Sequence, residues 1–333
     1  MPLKLLFIGG TGNLSMPCVQ LAAAEGHAVT VLTRGTRDAD LPESVIRVTG
    51  DGADRSTLAG VAAQHFDAIV NFVAFDAADV RRDIEVFGGR TGQYVFVSSA
   101  AVYRRPPPSY VVTEDSPLGN PHWEYARKKI DAEDRLRVAH RDTAFPMTIV
   151  RPSYTYGRSW VPTTSGSDYT VVYRLRRSLE LVVPGDGSSL VVLTHATDFA
   201  RGLVGLLGER SAIGEAFHIT SDEVQCWDQV HEAIARIVDA VPRLVHIPSD
   251  FIARIDARRG ASLLGDKAWS VVFDNSKLRS VVPGFRARVR FEDGVRASIA
   301  WLDADSARQH IDANESVERI LAAYQSLITH HSS

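Results

Sequence analysis

The sequence predicts an α/β protein with a doubly wound parallel β-sheet and a smaller mixed α/β region in its C-terminal part. Short apolar runs rich in β-branched residues alternate with helix-length segments over the first 150 residues. These runs lack a polar–apolar alternation, as expected for strands that helices cover on both faces. The first run leads directly into a glycine turn with a helix behind it. Strands that alternate with helices in this way form βαβ units and a parallel sheet.

The same pattern gives the bounds of the predicted elements. The strands span residues 5–8, 29–32, 46–49, 68–73, 94–98 and 148–150, and the helices between them span residues 14–25, 56–65, 77–88 and 123–140. Gly26 directly follows an Ala-rich segment, where glycine typically ends a helix. The later predicted elements are a helix at 169–178, a strand at 190–194, a helix at 196–207, a strand at 217–220, and helices at 227–239, 294–303 and 314–328.

The composition is that of an ordinary globular protein. Of the 333 residues, 45% are hydrophobic and 23% are charged, and the formal net charge of −3 gives no field that favours nucleic acid or an anionic membrane as a partner. No apolar stretch reaches the ~18 residues of a membrane span, and the first residues do not resemble a signal peptide. Cys18 and Cys226 lie far apart without a CxxC pattern, which argues against a disulfide or a metal site. We therefore expect a cytoplasmic protein without a metal.

The strongest local pattern is the glycine turn after the first strand. Its sequence from Gly9 to Ser15 is Gly-Gly-Thr-Gly-Asn-Leu-Ser. Glycine permits a tight turn and lets backbone N–H groups approach a pyrophosphate, and the helix N-terminus behind it adds partial positive charge. The small Ser15 still allows close packing of helix on strand. The pattern predicts a Rossmann domain in which these residues contact a dinucleotide: Gly9, Thr11, Gly12, Asn13 and Leu14.

Residues after the next two strands bear on which dinucleotide is bound. Where an Asp or Glu would accept hydrogen bonds from the adenosine ribose, the chain has Thr33 and Arg34. A guanidinium suits a 2′-phosphate, which favours NADP over NAD. The alternative is that Arg34 stacks on adenine, which both cofactors allow. Asp51, after the third strand, is predicted either to accept from the adenine amine or to cap a turn.

A change in composition divides the chain into two predicted regions. Residues 1–157 are predicted to form the Rossmann domain, and residues 190–221 to return to it. Residues 158–189, rich in Ser, Thr, Gly and Pro, and residues 222–329 are predicted to form the substrate-binding region. Residues 330–333 are predicted to be a disordered tail.

Three side chains predict acid–base chemistry beside the dinucleotide. Tyr125 and Lys129 are four residues apart and share one face of a predicted helix. A nearby ammonium stabilises phenolate and lowers the pKa of a tyrosine. Ser99, at the end of the fifth strand, is placed to hydrogen-bond the substrate oxygen that gains or loses a proton. Hydride would pass between the adjoining carbon and the nicotinamide.

The motifs together resemble the extended short-chain dehydrogenase/reductase family, also called the NAD-dependent epimerase/dehydratase family. They are the glycine turn, Ser98-Ser99, Tyr125-x-x-x-Lys129 and Arg151-Pro152, in this order, and the resemblance covers essentially the whole chain. It implies that Lys129 also contacts the nicotinamide ribose. It implies a homodimer formed through helices 77–88 and 123–140. It further implies that these residues line the cofactor: Phe72, Val73, Ala74, Pro152 and Ser153.

Departures from the family's patterns narrow the substrate. Family members that dehydrate sugars at positions 4 and 6 carry an acidic pair where this chain has Ala100 and Ala101, so 4,6-dehydration is disfavoured. The arginines that clamp the pyrophosphate of nucleotide sugars are absent after Gly185-Asp186-Gly187 and at Leu264. Lys267 or Arg258-Arg259 could replace them. The residues expected to face the substrate are Ala100, His122, Trp123 and Lys267.

These observations predict an NAD(P)-dependent oxidoreductase or epimerase that acts on a secondary alcohol of a sugar-like substrate. The substrate could be a nucleotide sugar, a nucleoside or a glycoside, and the sequence does not separate an epimerase from a net reductase. The alternative is a non-catalytic dinucleotide-binding regulator or an RNA-binding protein. The glycine turn and the Thr-Arg-Gly run ending at Gly35 also resemble atypical plastid relatives that bind RNA. Those relatives generally lack the Ser/Tyr/Lys set, which this chain retains.

Overall fold

The computed structural model describes residues 1–36 and 40–331. Its strands are β1 (Lys4–Ile8), β2 (Ala28–Thr33), β3 (Ile46–Thr49), β4 (Ala68–Asn71), β5 (Tyr94–Val97), β6 (Val111–Val112), β7 (Met147–Pro152), β8 (Tyr154–Tyr156), β9 (Glu180–Pro184), β10 (Leu190–Val191), β11 (Leu193–His195), β12 (Ala216–Ile219), β13 (Gln225–Cys226), β14 (Arg243–Ile247) and β15 (Val272–Phe273).

The α-helices connect these strands and cover them. They are α1 (Ser15–Ala24), α2 (Arg55–Val61), α3 (Ala77–Phe87), α4 (Glu124–Thr143), α5 (Thr170–Leu175), α6 (Ala196–Gly205), α7 (Trp227–Ile237), α8 (Ser249–Ile255), α9 (Ala257–Ser262), α10 (Ser276–Val281), α11 (Phe291–Asp303) and α12 (Asn314–His331). A short 3₁₀ helix spans Ala100–Val102, and a π-helical turn spans Leu263–Lys267.

Seven strands form one parallel sheet in the order β12-β7-β5-β4-β1-β2-β3. The order reverses beside β1, because the chain runs outward to β2 and β3 and then returns to β4 on the other side. In such a sheet, the crevice at the carboxyl ends of the strands beside the reversal is where ligands bind. The predicted doubly wound Rossmann architecture is confirmed.

The hydrophobic core lies on both faces of this sheet. Leu5 and Phe7 of β1 pack on one face with apolar residues of α1 and α6, whereas Leu6 and Ile8 pack on the other face with residues of α2, α3 and α4. All four side chains are fully buried. Since successive strand residues point to opposite faces, burial on both sides explains why the run has no polar–apolar alternation.

Several predicted elements end earlier than expected or divide. The strand predicted for 68–73 ends at Asn71, whose Oδ1 accepts hydrogen bonds from the N–H groups of Val73 at 2.7 Å and Ala74 at 2.9 Å and turns the chain. The helix predicted for 56–65 ends at Val61. The single strand predicted for 190–194 is two strands, because β10 pairs with β13 whereas β11 pairs with β8.

The C-terminal part is the smaller, mixed α/β region. Short two-stranded sheets join β9 to β14, β10 to β13, and β15 to β6. A core around the buried Trp227 packs residues of β9, β10 and β14 against α5, α7 and α11. The bounds proposed for the two regions stay a prediction. Helix α12 continues to His331, so the predicted tail begins with helical backbone, and residues 332–333 lie outside the described residues.

Within residues 1–36 and 40–331, no helix combines the length and apolar character needed to cross a membrane. In the same residues, no group of three or more His, Cys, Asp or Glu side chains is arranged to hold a metal ion.

Candidate active site

The glycine turn lies where β1 ends and α1 begins. Gly9 has a φ of 84°, in the left-handed region that favours glycine, and a Cβ atom there would lie 2.6 Å from Cγ2 of Val73. The hydroxyl of Ser15 accepts a hydrogen bond from the N–H of Gly12 at 2.9 Å, and its side chain is buried. Ser15 therefore packs the helix on the strand and closes the turn. The turn combines close backbone approach with a helix N-terminus, which fits a bound pyrophosphate.

Asn13 joins this turn to the segment that follows β8. Its Oδ1 accepts hydrogen bonds from the hydroxyl of Ser159 at 3.1 Å and from the N–H of Ser159 at 3.4 Å. A Cβ atom at Gly157 would lie 2.9 Å from the same Oδ1. The sequence predicted Asn13 as a cofactor contact but held no signal for this bridge.

A cavity of about 830 Å³ opens at the carboxyl ends of the sheet strands. Pockets of this size hold ligands in many proteins. It brings together predicted residues that lie more than 250 positions apart in the chain. The predicted site residues that line it are Gly9, Gly12, Asn13, Leu14, Phe72, Val73, Ala74, Ser99, Ala100, Trp123, Tyr125, Lys129, Pro152, Ser153 and Lys267.

Four predicted site residues lie outside this lining. Thr11 belongs to the turn, and Arg34 is exposed just after β2. Asp51 accepts a hydrogen bond from the N–H of Ala53 at 2.9 Å, which is the turn-capping alternative. His122 is exposed, which corrects the expectation that it faces the pocket.

The turn before α4 explains the position of His122. Oδ1 of Asn120 accepts hydrogen bonds from the N–H groups of both His122, at 3.2 Å, and Trp123, at 3.1 Å. This turn brings Trp123 to the cavity, with its ring centroid 4.8 Å from that of Tyr125.

Tyr125 lies in the first turn of α4 among aromatic side chains. Its ring centroid is 5.6 Å from that of Phe75. Burial raises the pKa of Tyr125 above its ordinary value, and a hydrogen bond with Ser99 opposes that shift. The shift is opposite to the lowering of this pKa predicted from Lys129, because desolvation outweighs the hydrogen bond with Ser99 and the negative charge of Asp266 adds to the rise.

Ser99 and Ser98 have different surroundings at the end of β5. The hydroxyl of Ser99 caps the Ala100–Val102 turn by accepting from the N–H of Ala101 at 3.2 Å, and Ser99 lines the cavity. Ser98 is buried and donates to Oε1 of Glu133 at 2.6 Å. Ser99 rather than Ser98 therefore faces the cavity, where it also interacts with Tyr125.

Lys129 lies one turn further along α4. Its Nζ donates to the carbonyl oxygen of Ala74 at 3.0 Å, in the loop after β4, and to that of Val97 at 2.9 Å, at the end of β5. The Nζ also lies 4.6 Å from the ring centroid of Phe96. Burial lowers the pKa of Lys129 to about 8, although the negative charge of Glu133 acts in the opposite direction.

A buried ion pair behind the cavity was missed from the sequence. Glu133 accepts hydrogen bonds from Nε of Arg151 at 3.0 Å and from Nη2 at 2.6 Å, and both side chains are almost wholly buried. Arg151 also donates to the hydroxyl of Tyr103 at 2.8 Å, and that hydroxyl contacts the buried His218. The spacing of Glu133, four residues after Lys129 on one helix, was the available signal.

The far side of the cavity is built from the C-terminal part. Asp266 lines it and accepts a hydrogen bond from Nη2 of Arg105 at 3.0 Å, and Arg105 is buried. Nζ of Lys267 lies 4.9 Å from the ring centroid of Tyr154 and donates to the hydroxyl of Ser262 at 3.3 Å. Lining residues that sequence reasoning missed include Phe75, Tyr154, Trp160, Asp266, Trp269 and Phe273.

Comparison with known proteins assigns this site to a family. The model of the NAD dependent epimerase/dehydratase family matches residues 5–220, more than half of the chain. The chain belongs to that family. The resemblance inferred from the glycine turn and the Ser/Tyr/Lys set is thereby confirmed.

Proteins similar to this chain are named for different activities. It is 27% identical over 290 residues to a 2′-dehydrokanamycin reductase of Streptomyces kanamyceticus, covering 86% of this chain and 81% of that protein. It is 25% identical over 265 residues to the chloroplast stem-loop binding protein of 41 kDa b of Arabidopsis thaliana, covering 74% and 67%. A dTDP-glucose 4,6-dehydratase of Streptomyces venezuelae, solved with NAD bound, has a TM-score of 0.73 at 23% identity and coverages of 91% and 98%.

Proposed function

We propose that the protein transfers hydride between a nicotinamide dinucleotide and a secondary-alcohol carbon of a sugar-like substrate. The observation that carries this proposal is that one cavity is lined by the glycine turn and by Ser99, Tyr125 and Lys129. The turn would hold the pyrophosphate against the N-terminus of α1, and Phe72, Val73, Ala74, Pro152 and Ser153 would flank the nicotinamide half. The bound nicotinamide supplies the hydride acceptor or donor.

Tyr125 is the proposed proton donor and acceptor. Because burial raises its pKa, the phenol holds its proton at neutral pH and is suited to protonate a substrate oxygen as a carbonyl is reduced. The hydroxyl of Ser99 would hydrogen-bond the same substrate oxygen. Lys129, with a pKa of about 8, is mostly an ammonium at neutral pH and would stabilise the phenolate left after proton donation.

We propose NADP rather than NAD as the preferred cofactor, because exposed Arg34 follows β2, the strand beside the glycine turn. A guanidinium there can bind a 2′-phosphate through two hydrogen bonds. Titration with NADPH and with NADH, followed by nicotinamide fluorescence, tests this. We expect NADPH to bind at least about tenfold more tightly, and Arg34→Ala to remove that difference. Equal affinity of the unchanged protein for both would contradict the proposal.

We propose that 4,6-dehydration is outside the activity. Ala100 and Ala101 are buried and carry no group that could exchange a proton with the substrate.

An epimerase and a net reductase differ in whether the dinucleotide stays bound. Assay of the dinucleotide released when the purified protein is denatured, in both oxidised and reduced forms, separates them, because only a retained cofactor gives a signal. We also propose that two copies pair through α3 and α4.

Replacement of Tyr125 by Phe tests the acid–base role. We expect Tyr125→Phe to lower turnover of keto sugars by roughly 10²- to 10⁴-fold, while the affinity for NADPH stays unchanged. NADPH consumption measured over a panel of keto sugars gives the readout. Tyr110→Phe, on an exposed tyrosine outside the cavity lining, is the matched control and should be fully active. Undiminished turnover in Tyr125→Phe would exclude the role.

A second candidate function is RNA binding, which the similarity to the chloroplast stem-loop binding protein favours. The net charge of −3 and the retained Tyr125 and Lys129 count against it. Filter binding of a structured RNA at increasing salt separates the two candidates. Tight binding that weakens steeply with salt would support the second function, because phosphate contacts release counterions.

A further inference from the structure

The substrate side of the cavity has an excess of positive side chains. Among the described residues that line the cavity, Lys129, Arg258 and Lys267 are basic and Asp266 is the single acidic residue. Asp266 is already bonded to the buried guanidinium of Arg105. Asp266 therefore shares its charge with Arg105, and the described lining holds no second carboxylate for Lys267 and Arg258.

Lys267 is partly buried, whereas Arg258 is exposed. Burial lowers the pKa of Lys267, the negative charge of Asp266 opposes that shift, and the neighbouring Arg259 adds to it. The one hydrogen bond to Ser262 uses one of the three N–H donors of the ammonium. A partly desolvated ammonium with donors left over is suited to bind an anion that enters the cavity, and ionisable groups with shifted pKa values concentrate at binding sites.

We infer that Lys267 and Arg258 bind an anionic group, a carboxylate or a phosphoryl group, on the substrate. This inference rests on the proposed function, since it places that anion against the cavity wall formed by α9 and the π-helical turn, in the cavity that would hold the dinucleotide. Arg258 comes from α9 and Lys267 from the π-helical turn, so the two cations reach the cavity from consecutive short helices. Amine-bearing sugars would be repelled at the same place.

The anion is distinct from the pyrophosphate of the dinucleotide and from that of a nucleotide sugar. The dinucleotide pyrophosphate belongs to the glycine turn at the N-terminus of α1. The two positions where relatives clamp a sugar nucleotide have no arginine here, since the Gly185 turn is followed by Ser188, Ser189 and Leu190, and Leu264 precedes Gly265. A single acidic substituent on a sugar-sized ring suits this cavity, and its rings at Trp160 and Trp269 suit the apolar face of that ring.

Tryptophan fluorescence provides the test, because Trp123, Trp160 and Trp269 line the cavity. The NADP-loaded protein is titrated with glucose 6-phosphate, glucuronate, glucose, glucosamine and UDP-glucose. We expect at least one of the two simple acids to bind about tenfold or more tightly than glucose, and glucosamine to bind most weakly. Whichever acid binds more tightly identifies the anion as phosphoryl or carboxylate.

Matched variants locate the anion. We expect Lys267→Met and Arg258→Ala each to weaken binding of the preferred acid by about tenfold and to leave glucose unchanged, and Lys267→Arg to retain most of the affinity. Lys277→Met, at a lysine outside the lining that pairs with Glu215, should change nothing. The inference is overturned by equal affinity for glucose and both acids, by an unaffected Lys267→Met, or by tightest binding of UDP-glucose. Its failure is separable from that of the proposed function, which Tyr125→Phe tests through turnover.

Discussion

At the scale of single residues, the two groups proposed for proton transfer are shifted in opposite directions by the same cause. Burial favours the neutral form of any ionisable group, so it raises the pKa of Tyr125 and lowers that of Lys129. The sequence predicted the effect of the ammonium on the phenol but not the desolvation of both. Negative charges on Glu133, Asp79 and Asp76 keep Lys129 from losing its proton more readily.

The depressed pKa of Lys129 predicts a pH-dependent stability. Its pKa is about 8 in the folded protein and 10.5 ordinarily, so between these values the unfolded chain binds more protons and folding becomes more favourable as pH rises. Lys129→Met removes this dependence. From pH 7 to pH 10 we expect the unfolding free energy of the unchanged protein to rise relative to the variant by roughly 2–3 kcal/mol.

Denaturant unfolding at several pH values measures that difference. Lys277→Met serves as the comparison, since it removes a partly exposed lysine that pairs with Glu215 away from the cavity lining. A free-energy difference between the unchanged protein and Lys129→Met that stays constant from pH 7 to pH 10 would show that Lys129 is not desolvated.

At the scale of elements, α4 organises the site through one face. Tyr125, Lys129 and Glu133 follow at intervals of four residues along the helix, which places them on one face. Lys129 donates to one carbonyl in the loop after β4 and to another at the end of β5. Glu133 accepts a hydrogen bond from Ser98 and forms an ion pair with Arg151 of β7. The ion pair thus anchors the helix that presents the proposed proton donor.

Breaking this ion pair on one side should destabilise the protein strongly. We expect Glu133→Gln to lower the unfolding free energy by about 3 kcal/mol or more, because it leaves the buried guanidinium of Arg151 without its counter-charge. The double variant Glu133→Gln, Arg151→Met should recover much of that loss. Denaturant unfolding of the two single variants and the double variant gives the coupling free energy between Glu133 and Arg151. Strictly additive losses of unfolding free energy would contradict the prediction.

At the scale of the whole molecule, the parallel sheet was predictable because its signals are local. An uninterrupted apolar run marks each buried strand, and the chain's own alternation of strand and helix fixes the parallel direction. The pairing of β9 with β14 was not predictable, because the two strands lie about 60 residues apart and are only partly apolar. Short helices such as α8 and α9 carry too few turns to show a helical period.

The candidate site, like the fold, was predictable from the sequence only where its signals are local. The glycine turn, Ser99, Tyr125 and Lys129 were found because each motif places its residues within a few positions. The Glu133–Arg151 pair and the Asp266–Arg105 pair depend on how separate elements pack, which no local pattern reports. His122 was wrongly predicted to face the substrate because it precedes Trp123 in the sequence. The turn at Asn120 leaves it exposed, and the sequence does not show this.

The shared amide oxygen of Asn13 has an evolutionary consequence. One atom accepts two bonds from Ser159 and closes the space into which any side chain at position 157 would grow. A change at one of these three positions alone would leave a hydrogen-bond donor without its acceptor or cause a steric clash. Related chains should therefore change these positions together. Covariation across related chains should therefore connect the first glycine-rich turn with a segment almost half the polypeptide away.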